Sequence, residues 1–354
     1  MFESPSAFDL GAREAEAYQN LILPHVSRTF ALTIPQLPPP LRLAVTNAYL
    51  LCRIADTIED EPTFSLEQKR RYGAAFIAAV TGHIDSKQFS AELAPLFSQA
   101  TLPAERELVS QLVLVLQITR SLMPSQRTAI INCLTVMSKG MFDFQRTVSR
   151  HGLETLRDMN RYCYCVAGVV GEMLTELLID FDPALASQRG LLLPLAVSFG
   201  QGLQMTNVLK DQWEDYSHGV CWLPQDLFAR HGVDLSGLQA GVQSANHGRA
   251  LTEMIGIAHA HLKLALEYTL TIPLKHSGFR RFCVMNIAFA VLTLRKLQRH
   301  LDFCSGDQVK ITHRAVAYAM ALTRLSAHSN SGLRWLFKIA TRRLPLRPLS
   351  AEWD

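Results

Sequence analysis

The chain has 354 residues, enough for one large domain or two ordinary ones, and 48% apolar against 19% charged content with no low-complexity tract excludes a disordered chain. A net charge of +4 is too small for a dedicated nucleic-acid binder, which gathers far more basic charge into a stripe. Seven cysteines, odd in number and irregular in spacing, fit neither a disulfide framework nor a zinc pattern and point to a reducing compartment, the cytoplasm.

The N-terminus, Met1-Phe2-Glu3-Ser4-Pro5, has no basic stretch followed by an apolar one, so no signal peptide is expected. Later apolar runs meet Pro, Gly or charge before reaching about 18 residues, so no spanning helix is expected either. Apolar residues recur at three and four, and alternating strand-like runs are missing, which predicts an all-α protein forming a single domain over 1–354. Beyond Ser27-Arg28-Thr29-Phe30, the run Pro38-Pro39-Pro40 introduces a helix over 41–60. Through residue 55 its only polar side chains are Arg42, Thr46, Asn47 and Arg53, so this helix should be buried. It then runs into Asp56, Glu59 and Asp60, which at i, i+3 and i+4 share one face.

Ser65 with Gln68 reads as a capping box opening a helix over 65–83, and helices follow at 103–122, 125–150 and 153–180. In the last of these Cys163 and Cys165 point to different sides, and Gly168 and Gly171 invite the close approach of another helix. Asp182-Pro183 starts a helix over 184–216, apolar up to Leu209 and then Lys210-Asp211-Gln212-Trp213-Glu214-Asp215. Asn207, Asp211 and Asp215 lie within about 80° of one another on its surface. Residues 217–248 form the one long irregular stretch, and loops of that length tend to be functional. Helices over 249–270, 278–304 and 307–328 complete the set, with His259 and His261 facing different ways on the first.

Two apolar helices that each end in aligned acids are informative. Burying unpaired carboxylates costs several kcal/mol each unless cations compensate them. Oxygen-only donors suit Mg²⁺, which binds through a few carboxylates plus substrate phosphates. The plain alternative is that each cluster is the solvated polar end of a helix. Arg53, one turn before Asp56, and Lys210, beside Asp211, add the positive charge that a metal-bound diphosphate needs, and Arg28 sits in a segment able to fold over such a site.

Four stretches together, Ser27 to Phe30, YLLCRIADTIED (Tyr49 to Asp60), YCYCVAGVVG (Tyr162 to Gly171) and QMTNVLKDQWED (Gln204 to Asp215), resemble the squalene and phytoene synthase family. The likeness runs over roughly residues 20–315. It implies a single all-α bundle with a central cavity that joins two prenyl diphosphates head to head. By the same resemblance Asp56, Glu59, Asp60, Asn207, Asp211 and Asp215 form two Mg²⁺–diphosphate sites. Arg28, Tyr49, Arg53 and Lys210 contact diphosphate, and Gln204 lines the cavity. Tyr162 matches a tyrosine of the first half-reaction; alternatively it is a core aromatic with a satisfied hydroxyl.

The form Asp-Thr-Ile-Glu-Asp resembles squalene synthases, implying two farnesyl diphosphates as substrate, presqualene diphosphate as intermediate and reduction by NADPH. Dehydrosqualene, hydroxysqualene and phytoene synthases stay open, as does a non-catalytic scaffold. Residues 278–311, with Phe282-Cys283, AVLTLRK from Ala290 to Lys296 and Val309-Lys310-Ile311, resemble the region serving the NADPH step, making Asn286 and Lys310 the nicotinamide-site candidates. Asn286-Ile287 and Cys165 depart from the eukaryotic pattern, and the shortened C-terminus points to a bacterial type. The tail over 331–354 mixes Trp335, Phe337 and Ile339 with Arg and Lys. It reads either as a membrane-surface contact, peripheral on the inner membrane face, or as a last helix packed on the domain.

Overall fold

The computed structural model describes residues 7–242 and 244–349. Residues 1–6, on which the signal-peptide expectation rests, and 350–354, the end of the basic tail, lie outside the described residues. Among those described there is no strand, only an isolated bridge between Leu153 and Pro224. The all-α reading holds. The chain forms two compact units: one runs to Arg146 and adds Met173–Ser187, the other comprises Thr147–Glu172 and everything from Gln188.

In the first unit, α1 (Ala7–Val26) and the short α2 (Phe30–Thr33) precede α3 (Pro39–Asp60). α3 is buried as its composition demands, and Ala44 to Ala48 are five successive buried positions. Its polar Asn47 is no defect. The amide donates to Gln19 Oε1 on α1 at 2.9 Å and to the Val115 carbonyl at 2.7 Å, and its oxygen accepts from Thr119 at 2.8 Å. A satisfied buried network of this kind fixes register where apolar packing alone would slide. α4 (Leu66–Val80) opens with the expected Ser65–Gln68 capping box. After α5 (Ser86–Leu93), the stretch expected as one helix over 103–122 breaks at Gln111 into α6 (Pro103–Ser110) and α7 (Leu112–Ser121). α8 (Pro124–Gln145) packs on α3 and α4.

The second unit opens with α9 (Leu156–Cys163), whose Thr155 cap exchanges hydrogen bonds with Asp158. A π-helical turn, Tyr164–Gly168, then leads into α10 (Val169–Phe181), whose residues from Met173 on belong to the first unit. Asp182-Pro183 opens a short 3₁₀ turn, and the long helix expected from 184 begins at Arg189 as α11 (Arg189–Ser217). Two glycine contacts seat α11. A Cβ at Gly200 would lie 2.1 Å from the Ala167 carbonyl oxygen, and one at Gly171 2.2 Å from that of Ala196. The close approach expected from Gly171 is thus of backbone on backbone. The 217–248 stretch holds the short α12 (Gln225–Arg230).

α13 (Ala245–Thr271) packs along α11, where His261 Nδ1 meets Ser198 Oγ at 2.7 Å while His259 Nδ1 meets the Pro345 carbonyl at 2.7 Å. The two histidines do face different ways. α14 (Ser277–Arg299) carries a fully buried Arg280, which donates to the carbonyls of Thr269, Ile272 and Ala327 and to Asn330 Oδ1. α15 (Gly306–Val309), α16 (His313–Ser326) and α17 (Asn330–Thr341) follow. Two stretches, Leu156–Phe181 and Leu274–Arg299, are long and apolar enough to cross a membrane, with 50% and 72% of their apolar windows buried in the protein. This corrects the expectation that every apolar run is cut short, because Gly168, Gly171 and Arg280 lie inside helices rather than ending them.

Candidate active site

The C-terminal turns of α3 gather the first candidate set. The Arg53 guanidinium lies 3.9 Å from Asp56 and 3.7 Å from Glu105, donates to the Tyr49 hydroxyl at 3.3 Å and stands 5.9 Å over its ring. Burial works against its charge, but Asp56, Tyr49 and Glu105 together hold it more firmly charged than usual. Tyr49 donates in turn to the Val26 carbonyl at 2.9 Å, and Phe30 packs against its ring at 5.1 Å. Ser27 Oγ accepts from the Phe30 N–H at 3.0 Å. The Ser-Arg-Thr-Phe segment is thereby docked on Tyr49, with Arg28 exposed within it.

Three acids at this helix end meet different fates. Asp60 is exposed, as the solvated-end alternative requires. Asp56 is crowded by protein yet 31% exposed, and burial pushes its carboxyl up to about 7 against the pull of Arg53. Burial and the neighbouring Asp60, which shares a hydrogen bond with it, raise Glu59 well above the usual carboxylate range. Glu61, next in sequence, is the control. Fully buried, it accepts from Thr63 N, Thr63 Oγ1, Ser98 N and Thr101 Oγ1, and these bonds overcome burial and hold its pKa down to about 2. Hydrogen bonds favour the charged form of Glu61, whereas burial disfavours it at Asp56 and Glu59.

α11 carries the second set in the other unit. Lys210 Nζ reaches both oxygens of Asp211 at 2.6 Å. Asn207 is exposed, and Asp215 and Gln204 are half-buried. Gly306, opening α15, donates to Glu214 Oε1 at 2.8 Å, and a Cβ there would meet Asp211 Oδ1 at 3.3 Å. Tyr162, 9% exposed, stacks on Trp222 with centroids 4.0 Å apart and planes at 6°. The nicotinamide-site candidates do not converge on a free donor set. Asn286 is buried with its amide donating to the Phe282 carbonyl at 2.9 Å, and exposed Lys310 is ion-paired with Asp307.

Sequence reasoning missed Glu105, which shares Arg53 with Asp56, and Gln145, whose Nε2 donates to the Glu59 carbonyl at 3.1 Å and to its carboxylate. Gln145 lies 86 residues from Glu59, so no local pattern could find it. Among the described residues no three His, Cys, Asp or Glu side chains gather as a ready-made metal cage. Mg²⁺ needs none, since it binds through one or two carboxylates and fills its shell with water and phosphate. Oxygen donors that burial holds above the usual carboxylate range, such as Asp56 and Glu59, fit that role, because a bound cation would favour their charged form.

The all-helical fold is shared with solved squalene synthases. TcSQS, solved in complex with a ligand, superposes with a TM-score of 0.75 at 26% identity, covering 96% of this chain and 95% of that one. A dehydrosqualene synthase in complex with a ligand shares the fold at a TM-score of 0.63 and 21% identity, covering 89% and 97%. A model of the squalene/phytoene synthase family matches residues 23–315, and the chain belongs to that family. It is 30% identical over 284 residues to the squalene synthase of Eremothecium gossypii, covering 77% of this chain and 60% of the relative. To the squalene synthase of Schizosaccharomyces pombe it is 28% identical over 287 residues, covering 79% and 59%. The chain thus spans about three fifths of the length of these curated relatives.

Proposed function

We propose that the chain is a squalene synthase, a prenyltransferase joining two farnesyl diphosphates head to head through presqualene diphosphate in a Mg²⁺-dependent reaction, with NADPH reduction to squalene. The observation that carries this reading is the contrast at the end of α3. Glu61 has four hydrogen bonds that favour its charged form, while burial disfavours charge on Asp56, beside Arg53, and on Glu59, which Gln145 reaches. Family membership over 23–315 and relatives named squalene synthase support it.

On this reading Asp56, Glu59 and Asp60 on α3 supply one Mg²⁺–diphosphate site, and Asn207, Asp211 and Asp215 on α11 supply the second. The chemistry supplied by bound Mg²⁺ is withdrawal of charge from a leaving diphosphate. Arg53, oriented by Tyr49 and Glu105, and Lys210 offset the charge on the diphosphate oxygens, with Arg28 closing from the docked segment. Tyr162, clamped on Trp222, is the proton-handling candidate at its hydroxyl, and Gln204 lines the cavity. Apolar helix faces keep water from quenching a carbocation. Asn286, whose amide donates to the Phe282 carbonyl, and Lys310, beside Asp307, are the nicotinamide-site candidates on this reading. Their role and the reductive step rest on the resemblance alone. The reaction is placed in the cytoplasm.

The test is product analysis of the purified chain with farnesyl diphosphate and Mg²⁺, with and without NADPH. Squalene formed only with NADPH is the expected result. A C30 product indifferent to NADPH moves the assignment to a dehydrosqualene or hydroxysqualene synthase. Product only from geranylgeranyl diphosphate moves it to a phytoene synthase, and no product from either substrate overturns the enzymatic reading.

A further inference from the structure

Two arginines on long helices differ in how fully their hydrogen bonds are made. Arg280 donates to three backbone carbonyls and to Asn330 Oδ1, and its role is structural. Arg53 donates a single hydrogen bond among the described residues, to the Tyr49 hydroxyl at 3.3 Å, and its Nε is buried without a partner. Its two carboxylate neighbours, Asp56 at 3.9 Å and Glu105 at 3.7 Å, hold the guanidinium by charge at distances too long for a hydrogen bond. A guanidinium kept in place by charge with donors to spare suits an anion with several oxygens.

The fold mounts Glu105 firmly. Glu61, just past the end of α3, accepts from Ser98 N at 3.0 Å and Thr101 Oγ1 at 2.6 Å, and Arg106 Nη1 donates to the Ser98 carbonyl at 2.8 Å. These bonds tie the turn that leads into α6 to the end of α3, and Glu105 stands in the first turn of α6. Among the described residues its carboxylate is ion-paired with Arg53 alone, and side-chain exposures of 29% for Arg53 and 17% for Glu105 leave the pair within reach of a ligand. An anion that takes up the spare donors of Arg53 competes with Glu105 for the same positive charge. We propose that Glu105 is the resting counter-ion of Arg53 and loosens its grip on diphosphate, so that inorganic diphosphate leaves after the reaction. The inference rests on the proposed function, which puts diphosphate at Arg53. A residue that only oriented Arg53 would strengthen that binding, whereas a competing charge weakens it, so the sign of the effect separates the two roles.

Calorimetric titration of the full chain with inorganic diphosphate in the presence of Mg²⁺ tests it. Glu105→Gln, which keeps the shape and removes the charge, should bind diphosphate about fivefold more tightly than the parent, and Glu105→Asp, which keeps the charge, should bind close to the parent. In an Arg53→Gln background the effect of Glu105→Gln should shrink below about twofold, because the two residues act as one pair. Glu105→Gln should keep the parent's circular dichroism and Tm. Binding that Glu105→Gln weakens or leaves unchanged overturns the inference alone, as does equal tightening in both backgrounds. A parent that binds no diphosphate overturns the proposed function and this inference with it.

Discussion

Asp56 and Glu61 are acids near the same helix end, yet hydrogen bonds separate their roles. Replacing Asp56 or Asp211 by Ala should lower turnover at least about 100-fold while leaving the far-ultraviolet circular dichroism unchanged; normal activity in either variant would sink the metal-site assignment. Glu61→Ala should act the other way round. It strands the donors of Thr63, Ser98 and Thr101, costing about 3 kcal/mol of stability in urea unfolding, with the Mg²⁺ requirement of the surviving folded enzyme unaltered. On the proposed reading Gln145, which donates to the Glu59 carbonyl and carboxylate, is a positioning residue for Glu59. Gln145→Leu should raise the Mg²⁺ concentration for half-activity about tenfold, and Gln145→Glu, which places a carboxylate against Glu59, should not rescue it. The acids were legible in the sequence because helical spacing is local. Glu105 and Gln145 were not, because only folding brings them to Arg53 and Glu59.

Among the elements, α11 shows how glycine placement sets helix spacing. Gly200→Ala drives a Cβ into the Ala167 carbonyl, which cannot yield as a flexible side chain would. A loss of about 3 kcal/mol is expected, at the upper end for over-packing. Gly190→Ala, on the same helix with nothing within 4 Å, should instead be neutral or gain up to about 1 kcal/mol. Chemical denaturation of the two variants side by side checks both, and equal effects would contradict the packing argument. The sequence marked Gly168 and Gly171 as contact glycines and Ser65–Gln68 as a cap, and both proved right, the cap because it rests on neighbours in the chain and the glycines because a missing side chain on an apolar helix leaves room for another helix. It did not mark the π turn at Tyr164–Gly168 or the break at Gln111, where the packing of other helices overrides an unbroken apolar period.

For the molecule as a whole, buried neutral histidines set a pH dependence. Burial pushes His247 and His261 down to about 4, and His247 has neither ring nitrogen hydrogen-bonded. Between about pH 6.5 and 4 the unfolded chain binds protons at these positions that the folded chain refuses. Their contribution is therefore complete above about 6.5 and lost as pH falls through that window. The raised Asp56 works in the opposite sense, so the readout is a difference between proteins. His247→Leu, seated between Trp213 and Phe228, should lose about 2 kcal/mol less stability than the parent between pH 7 and pH 5. Parallel stability curves for the two would refute a neutral buried His247.

Composition and helical period determined the all-α class, the buried α3 and the two aligned acid sets, because each depends on spacings within one helix. The family followed from four such stretches in order. What the tertiary structure alone decided is which polar groups are satisfied. Asn47 and Glu61 are tied to distant partners and become structural, Asn286 and Lys310 bond to near neighbours in the chain, and Asp56 and Glu59 sit where burial disfavours their charge. Hydrogen-bond satisfaction and burial are properties of residues far apart in the chain, and no local pattern carries them.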